Sequence, residues 1–406
     1  MNSPFIMSQE DRVMLARRKY FEEGILPTGI VSDSIFQSWT RCHRANQRPQ
    51  EKIEFQPVSA SRSHLALQKN WKLHEAWQCE LPSLWSALGS ANCSAILTDA
   101  SGVLIGATPA SQHDQKIISI AHRVGVNLSE EHVGATAPGI VARTGKQTCV
   151  LGGEHYYDSV KTMYCTAAPI RNIHGQLAGI LDISSEGSPF KFDPSAVVGL
   201  YAASIENRLL AAQSNEHLVV YFQFVPTILD TPMVGMLGLD HTGKLVWVNS
   251  IACNLLGIQH AQEHRPSLWV EDIFDINFSN LASLAGAGLK TLRLRSGLQI
   301  YMRCDFYLNG RAHLEISSPM HCDSEYGDIA LGQTIPTETI ASPSINAEAL
   351  IEKAASLKQA DADLIQKVLR ECKGNVSQVA KLLKVSRGLI YRRMTALGID
   401  PKDFKT

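Results

Sequence analysis

Arg387, Arg392 and Arg393 lie in the run Ser386-Arg387-Gly388-Leu389-Ile390-Tyr391-Arg392-Arg393, whose natural chemistry is guanidinium recognition of nucleic acid. A bidentate Arg–guanine pair is the commonest specific base contact, and an arginine in the first turn of a helix can reach it. Arg387 holds that place, with Leu389 and Tyr391 beside it. Arg392 and Arg393 come a turn or more later and suit phosphates, as do Lys381 and Lys384. A second set, Cys165 and His155, could do thiol chemistry, the imidazole taking the proton that activates a thiolate. The competing reading makes Cys165 a packed strand residue and His155 a loop residue satisfied by backbone. With no resolving cysteine evident, packing is the favoured reading, because cysteine is commonly buried for packing alone.

The elements that would position the arginines follow from apolar spacing. Leu364, Ile365, Val368 and Leu369 make one helical stripe, which Gly374-Asn375 stops. Val376, Val379, Ala380 and Leu383 make a second stripe; Ile390, Met394 and Leu397 make a third. Lys384-Val385 forms a tight turn between them, and Ser386 is a good N-cap. Small Ala380 lets the two helices cross closely, which predicts a helix-turn-helix presenting helix 387–397 to a DNA major groove. From Leu364 to Gly398 there are eight basic residues and one acid, hence +7, in a chain of net charge −1. Phosphate neutralisation explains that asymmetry; packing alone does not need it.

The run Gly374-Asn375, Val379-Ala380, Leu383, Ser386-Arg387-Gly388, Tyr391-Arg392-Arg393, Leu397-Gly398-Ile399 resembles the Fis-type helix-turn-helix of bacterial enhancer-binding regulators. It departs at Lys384, where glycine is usual, and at Leu389, where threonine is frequent. The resemblance implies double-stranded DNA as a partner and a homodimer that reads paired half-sites.

Composition limits the rest. A chain of 406 residues, 45% hydrophobic, predicts a globular protein of about two to four domains. No apolar run approaches the ~20 residues of a bilayer span, and the opening residues lack a signal-peptide pattern. The nine cysteines (Cys42, Cys79, Cys93, Cys149, Cys165, Cys253, Cys304, Cys322 and Cys372) are scattered without a Cys-x-x-Cys pair. This predicts reduced thiols, a cytoplasmic protein, no structural zinc and no other cofactor.

A multidomain α/β (α+β) chain is predicted. Residues 1–80 read as a helical segment in which Ile35, Trp39 and Cys42 share one face. Residues 81–212 read as an α/β sensor. It has two strands around Asp99-Ala-Ser-Gly102, a second pair around Arg171-Asn-Ile-His-Gly175, and a closing helix from Pro194 to Ala212. Residues 222–318 read as a smaller strand-rich unit resembling PAS domains, expected to be empty and dimerising. Residues 319–346 read as a flexible linker, and 347–406 as the all-α DNA-binding domain.

The 81–212 stretch resembles the GAF sensor of the acetoin-catabolism activator (AcoR) group of sigma-54 regulators. The likeness runs through Ser129-Glu130-Glu-His-Val-Gly134-Ala-Thr136, Gly152-Gly-Glu154-His155-Tyr156, Tyr164-Cys165-Thr-Ala-Ala-Pro169-Ile170 and Gly175-Gln-Leu-Ala-Gly179-Ile-Leu-Asp182. Ser38-Trp39-x-Arg41-Cys42 belongs to the same pattern. The resemblance implies a pocket for a small-molecule effector, with Thr136, His155, Tyr164 and Cys165 as its candidate lining. Gly134-Ala135-Thr136 stands where Gly-Thr-Asn is frequent in the group, and Tyr164 where Trp is usual.

Members of that group normally carry an ATPase between sensor and DNA-binding end, with a Gly-x-x-x-x-Gly-Lys-[Ser/Thr] phosphate loop. Only about 30 residues separate the PAS-like strands from the final helices here, too few for such a core. The run Ala285-Gly-Ala-Gly-Leu-Lys290-Thr291 lacks the spacing and leads toward a strand. The expectation is therefore a signal-responsive regulator, not an enzyme, acting with RNA polymerase or with a full-length sigma-54 activator. The alternative is a GAF-fold thiol redox enzyme or redox sensor using Cys165.

Overall fold

Ser8, Ser32 and Ser59 each start a helix in the same way, the hydroxyl accepting from the amide three residues on. The helices are α1 (Gln9–Arg17), α2 (Asp33–Arg44) and α3 (Ala60–Lys69), and α1 runs on into a π-helical turn, Arg18–Glu22. The computed structural model describes residues 8–89, 91–109, 115–258, 267–313, 376 and 378. Helix α4 (Trp71–Leu88) corrects the expected boundary at 80/81, which falls inside it. Pro82 does not end the helix, because Leu73, Trp77, Leu84 and Leu88 continue one buried stripe on both sides of it.

The first sheet follows. Its elements are β1 (Cys93–Asp99), β2 (Leu104–Ala107), α5 (Lys116–Ala121), α6 (Glu130–Val133), α7 (Ala137–Thr144), β3 (Thr148–Leu151), β4 (Met163–Arg171) and β5 (Leu177–Glu186). The strand order is β2-β1-β5-β4-β3, with every pairing antiparallel. The β1–β2 turn forms as its residues dictate: Asp99 Oδ1 accepts from the amides of Ser101 and Val103 at 2.9 and 3.0 Å. Helix α8 (Pro194–Gln213) starts on an Asp193 cap and packs with α4 on one face of the sheet, around Trp77, Leu97, Leu181 and Val198. The other face packs Ile96, Val150, Cys165 and Ile180 against Trp39, Ile140 and Tyr156. That second face carries the candidate site.

A second sheet is built from β6 (His217–Gln223), β7 (Gly235–Leu239), β8 (Leu245–Val248), β9 (Lys290–Arg293), β10 (Gln299–Leu308) and β11 (Arg311–His313). Helix α9 (Ser250–Leu256) follows β8. The order is β11-β10-β6-β7-β8, with β9 also on β10. Strand β6 begins before the expected start at 222, since Leu218, Val220 and Phe222 all point into the core. Lys290 opens β9, so the glycine-rich run does lead into a strand. Glu206 of α8 ties the two sheets together: its carboxylate accepts from the Arg171 amide (2.8 Å) and the Ser250 amide (2.7 Å). Asn207 beside it accepts from Asn249 at 2.7 Å.

The fold class is the expected mixed α/β. In a separate unit, residues 320–406, only Val376 and Gln378 are described; both are helical and Val376 is buried. The linker and the candidate DNA-binding residues Lys381, Lys384, Ser386, Arg387, Gly388, Leu389, Tyr391, Arg392 and Arg393 lie outside the described residues.

Candidate functional site

Strand alternation sorts the candidate pocket residues. Neighbours on a strand point to opposite faces, so of Tyr164 and Cys165 only one can face the inner cavity. That one is Cys165, which lines a small cavity together with Thr136 and His155. Tyr164 faces away. Its hydroxyl lies 3.5 Å from Glu10 Oε1, and its ring lines a separate surface groove. Three of the four expected lining residues therefore share one cavity and the fourth does not.

Each of the three is held by its local structure. Thr136 caps α7, its hydroxyl accepting from the Gly139 amide at 3.3 Å. Gly134, two residues earlier, is at φ +70°, and a Cβ there would come within 2.8 Å of the Tyr157 ring, so only glycine fits. His155 follows a single 3₁₀ turn, Gly152–Glu154, and its Nδ1 lies 3.0 Å from the Gly152 carbonyl. A carbonyl only accepts, so Nδ1 carries the proton and Nε2 presents a lone pair. Cys165 pairs with Ser184 across the β4–β5 ladder. Ser184 Oγ lies 3.1 Å from Cys165 Sγ and 2.6 Å from Asp182 Oδ2.

The cavity measures about 40 Å³. That is room for a few water-sized centres, or for an occupant of a handful of heavy atoms. Phe55, Ile96, Leu128 and Met163 make much of its wall, and the polar groups are His122, Thr136, His155, Asp182 and Ser184. Two polar atoms of this lining, His155 Nε2 and Asp182 Oδ1, are buried without a hydrogen-bond partner. Native interiors rarely leave such atoms orphaned, so each marks a place for a partner atom. Asp182, Ser184 and His122 were not assigned to the pocket from the sequence. An acid within the apolar run Ile180-Leu181-Asp182-Ile183 was the available signal, because an unpaired carboxylate does not belong in a buried strand.

The electrostatics favour uncharged forms. Burial pushes Asp182 and Glu154 up to about 7, and pushes His155 and His122 down to about 4. Burial also pushes the Cys165 thiol well above the ordinary range, and His155 Nε2 makes no hydrogen bond. The thiolate–imidazole pair that redox chemistry would need is therefore not formed.

These shifts oppose one another in a pH titration. The folded state holds the Asp182 proton up to pH of about 7 whereas the unfolded chain releases it near 3.8, so its contribution to stability falls as pH rises through that window. The buried histidines act in the reverse sense between about 4 and 6.5, where the unfolded chain binds more protons. Asp182→Asn removes one falling contribution. Relative to the parent chain, its stability should rise with pH between about 4.5 and 6.5, by at most ~1.4 kcal/mol per unit. Urea midpoints for both chains at the two ends of that range measure this. An offset that does not change with pH would show that Asp182 is ionised throughout.

The amino-terminal helices brace the wall of this cavity. Ser38 Oγ donates to the buried Glu130 carboxylate at 2.6 Å, and one guanidinium edge of Arg41, Nε and Nη2, donates to its two oxygens at 2.7 Å. Trp39 Nε1 donates to the Glu154 carbonyl at 2.7 Å, and the Tyr156 hydroxyl donates to the Gln47 carbonyl at 2.6 Å. Ser38, Trp39 and Arg41 thus hold the two segments, 130–136 and 152–158, that supply Thr136 and His155.

Residues 10–203 match the MimR N-terminal domain, and residues 356–397 match the bacterial regulatory protein Fis family. The acetoin catabolism regulatory protein of Cupriavidus necator is 28% identical over 231 residues, 55% of this chain and 35% of that protein. The acetoin dehydrogenase operon transcriptional activator AcoR of Bacillus subtilis is 25% identical, over 51% of this chain and 34% of its own length. The propane 2-monooxygenase operon transcriptional activator MimR of Mycolicibacterium smegmatis is 24% identical, over 48% and 32%. The chain thus spans about a third of the length of these relatives. Among solved structures, the DhaR(N)–DhaL complex of E. coli aligns at 12% identity with a TM-score of 0.42, covering 67% of this chain and 99% of that one. The GAF domain of CodY from Clostridium difficile aligns at 16% identity with a TM-score of 0.24, covering 38% and 100%. The chain joins a MimR-type N-terminal domain to a Fis-family helix-turn-helix, and its relatives are transcriptional activators of the AcoR and MimR type.

Proposed function

We propose that this chain is a bacterial transcription regulator in which a small uncharged molecule, bound in the first-sheet cavity, controls operator binding by residues 347–406. The observation that carries the reading is the pair of orphaned buried atoms, His155 Nε2 and Asp182 Oδ1, in one cavity. His155 Nε2 needs a donor such as a hydroxyl. Asp182, poised near neutrality, can give or take a hydrogen bond. Among the described residues no lysine or arginine lines the cavity, so an anionic occupant would meet no compensating charge from them.

Two relatives are named for acetoin, a neutral hydroxyketone with one donor and two acceptors. Its polarity suits the orphaned pair, and the cavity walls must move apart to admit it. The reading assigns the protein to the cytoplasm and nucleoid as a homodimer, working with RNA polymerase or alongside full-length sigma-54 activators. Among the described residues no helix is long and apolar enough to cross a membrane.

A ligand that binds only the folded chain raises its melting temperature, by about 2.7 kcal/mol of stabilisation at a hundredfold excess over Kd. Millimolar acetoin should raise the melting temperature of the full chain, and equimolar pyruvate should not. His155→Ala should abolish the acetoin shift. Acetoin should also change the operator affinity of the full chain in a mobility-shift titration, since linkage ties the two sites to one equilibrium. A shift with pyruvate, or none with acetoin or 2,3-butanediol, would overturn the proposal of a small uncharged effector.

A further inference from the structure

The loop 152–158 has a different space on each side. Gly152 and Gly153 border an open surface groove of about 740 Å³, which runs beside α1 past Glu10, Met14 and Tyr164. His155, two residues on, faces the inner cavity of about 40 Å³. The same short loop therefore borders the groove through Gly152 and Gly153 and the cavity through His155.

Beside the bonds of Trp39 and the Tyr156 hydroxyl, Arg17 makes four of the bonds that fasten this loop. Arg17, at the end of α1, is only 5% exposed. Its Nη1 donates to the carbonyls of Gly153 (3.0 Å) and His155 (2.6 Å). Its Nη2 donates to the Tyr156 carbonyl (3.0 Å) and the Asp158 carboxylate (2.8 Å). The guanidinium also lies over the rings of Phe21 and Trp39, at 4.9 and 5.7 Å. A buried cation spends most of its donors on one short loop, although simple packing would require no cation there. Immediately after Arg17 the helix changes to a π turn, Arg18–Glu22, an irregularity common at functional positions. At the start of the loop Gly152 sits at φ +55°, a backbone that can change direction without a Cβ penalty.

We propose that loop 152–158 is the door between the groove and the cavity, that the groove is the entry vestibule for small uncharged ligands, and that Arg17 is the positioning residue that holds the door shut. Release of the Arg17 bonds frees the carbonyls of Gly153, His155 and Tyr156 together, so the His155 ring leaves the cavity wall as the loop swings toward the groove. The kind of ligand rests on the effector reading above; the door itself does not.

Cys165 reports the opening without any effector, because its thiol lines the cavity and is buried. The full chain is treated with iodoacetamide, and alkylation of each cysteine is followed by mass spectrometry. Exposed Cys79 and groove-lining Cys149 serve as accessible references; Cys93 and Cys304, buried elsewhere, report global loosening. In Arg17→Ala the Cys165 rate should rise at least tenfold while Cys93 and Cys304 stay slow. Arg17→Lys keeps the charge but loses the fork of donors, and should give a smaller rise confined to Cys165; it decides the matter if the alanine variant fails to fold. Adding Met14→Trp on the groove rim should slow Cys165 labelling again severalfold. The proposal is overturned if Cys165 stays slow in the folded variants, if all three buried cysteines accelerate together, or if Met14→Trp leaves the rate unchanged.

Discussion

Arg387→Ala is expected to weaken operator binding by about 1–3 kcal/mol, roughly five- to 150-fold, and to relax preference at one base per half-site. The expectation rests on residue type and placement. The sequence pattern makes Ser386 the expected cap of a third helix, which would put Arg387 in its first turn, where a side chain entering the major groove reaches base edges. Arg393, six residues on in the same pattern, is expected to meet phosphate instead. Arg393→Ala should lower affinity on every sequence and flatten the salt dependence by about one counterion. Mobility-shift titrations on specific and scrambled duplexes, each at two salt concentrations, separate the two effects. If Arg387→Ala weakens specific and non-specific binding equally, the recognition helix has been misplaced.

Local regularities of the fold were legible in the sequence, and long-range bonds were not. The stripe Ile35, Trp39, Cys42 announced the buried face of α2, and Asp99-Ala-Ser-Gly102 announced its turn, because both depend on neighbours within a few residues. The expected boundary at 80/81 falls inside α4, because that helix packs along its length on α8 and the first sheet and Pro82 does not end it. Tyr164 was grouped with Cys165 through family resemblance, and the two-residue strand period alone would have separated them. The bonds that shape the site, Arg17 to Gly153, Ser38 to Glu130 and Trp39 to Glu154, each join residues 92 to 136 positions apart. No periodicity reports such pairs. The GAF-like sensor reading began at residue 81, yet the segment before it supplies those three side chains to the site.

Trp39→Ala should destabilise the folded chain by about 3–5 kcal/mol, the usual cost of emptying a large aromatic site in a core. Trp39 has no exposed surface, and its ring centroid lies 5.2 Å from Phe21 and 6.0 Å from Tyr20. Its indole N–H also supplies a donor to the Glu154 carbonyl, within the loop that carries His155. The loss therefore has two parts, and Trp39→Phe separates them. Phenylalanine keeps most of the apolar contact but cannot donate, leaving a buried carbonyl short of a partner at about 1–3 kcal/mol. The alanine variant should thus unfold at markedly lower urea than the phenylalanine variant, and both at lower urea than the parent, followed by far-UV circular dichroism. Against a typical total of about 5–15 kcal/mol, the alanine change leaves a sensor near the edge of folding. Equal midpoints for Phe and Ala would mean that the hydrogen bond, and not the ring, holds the amino-terminal helices to the sheet. A midpoint for Trp39→Ala within about 1 kcal/mol of the parent would mean that these helices are peripheral, and that the cavity wall stands without them.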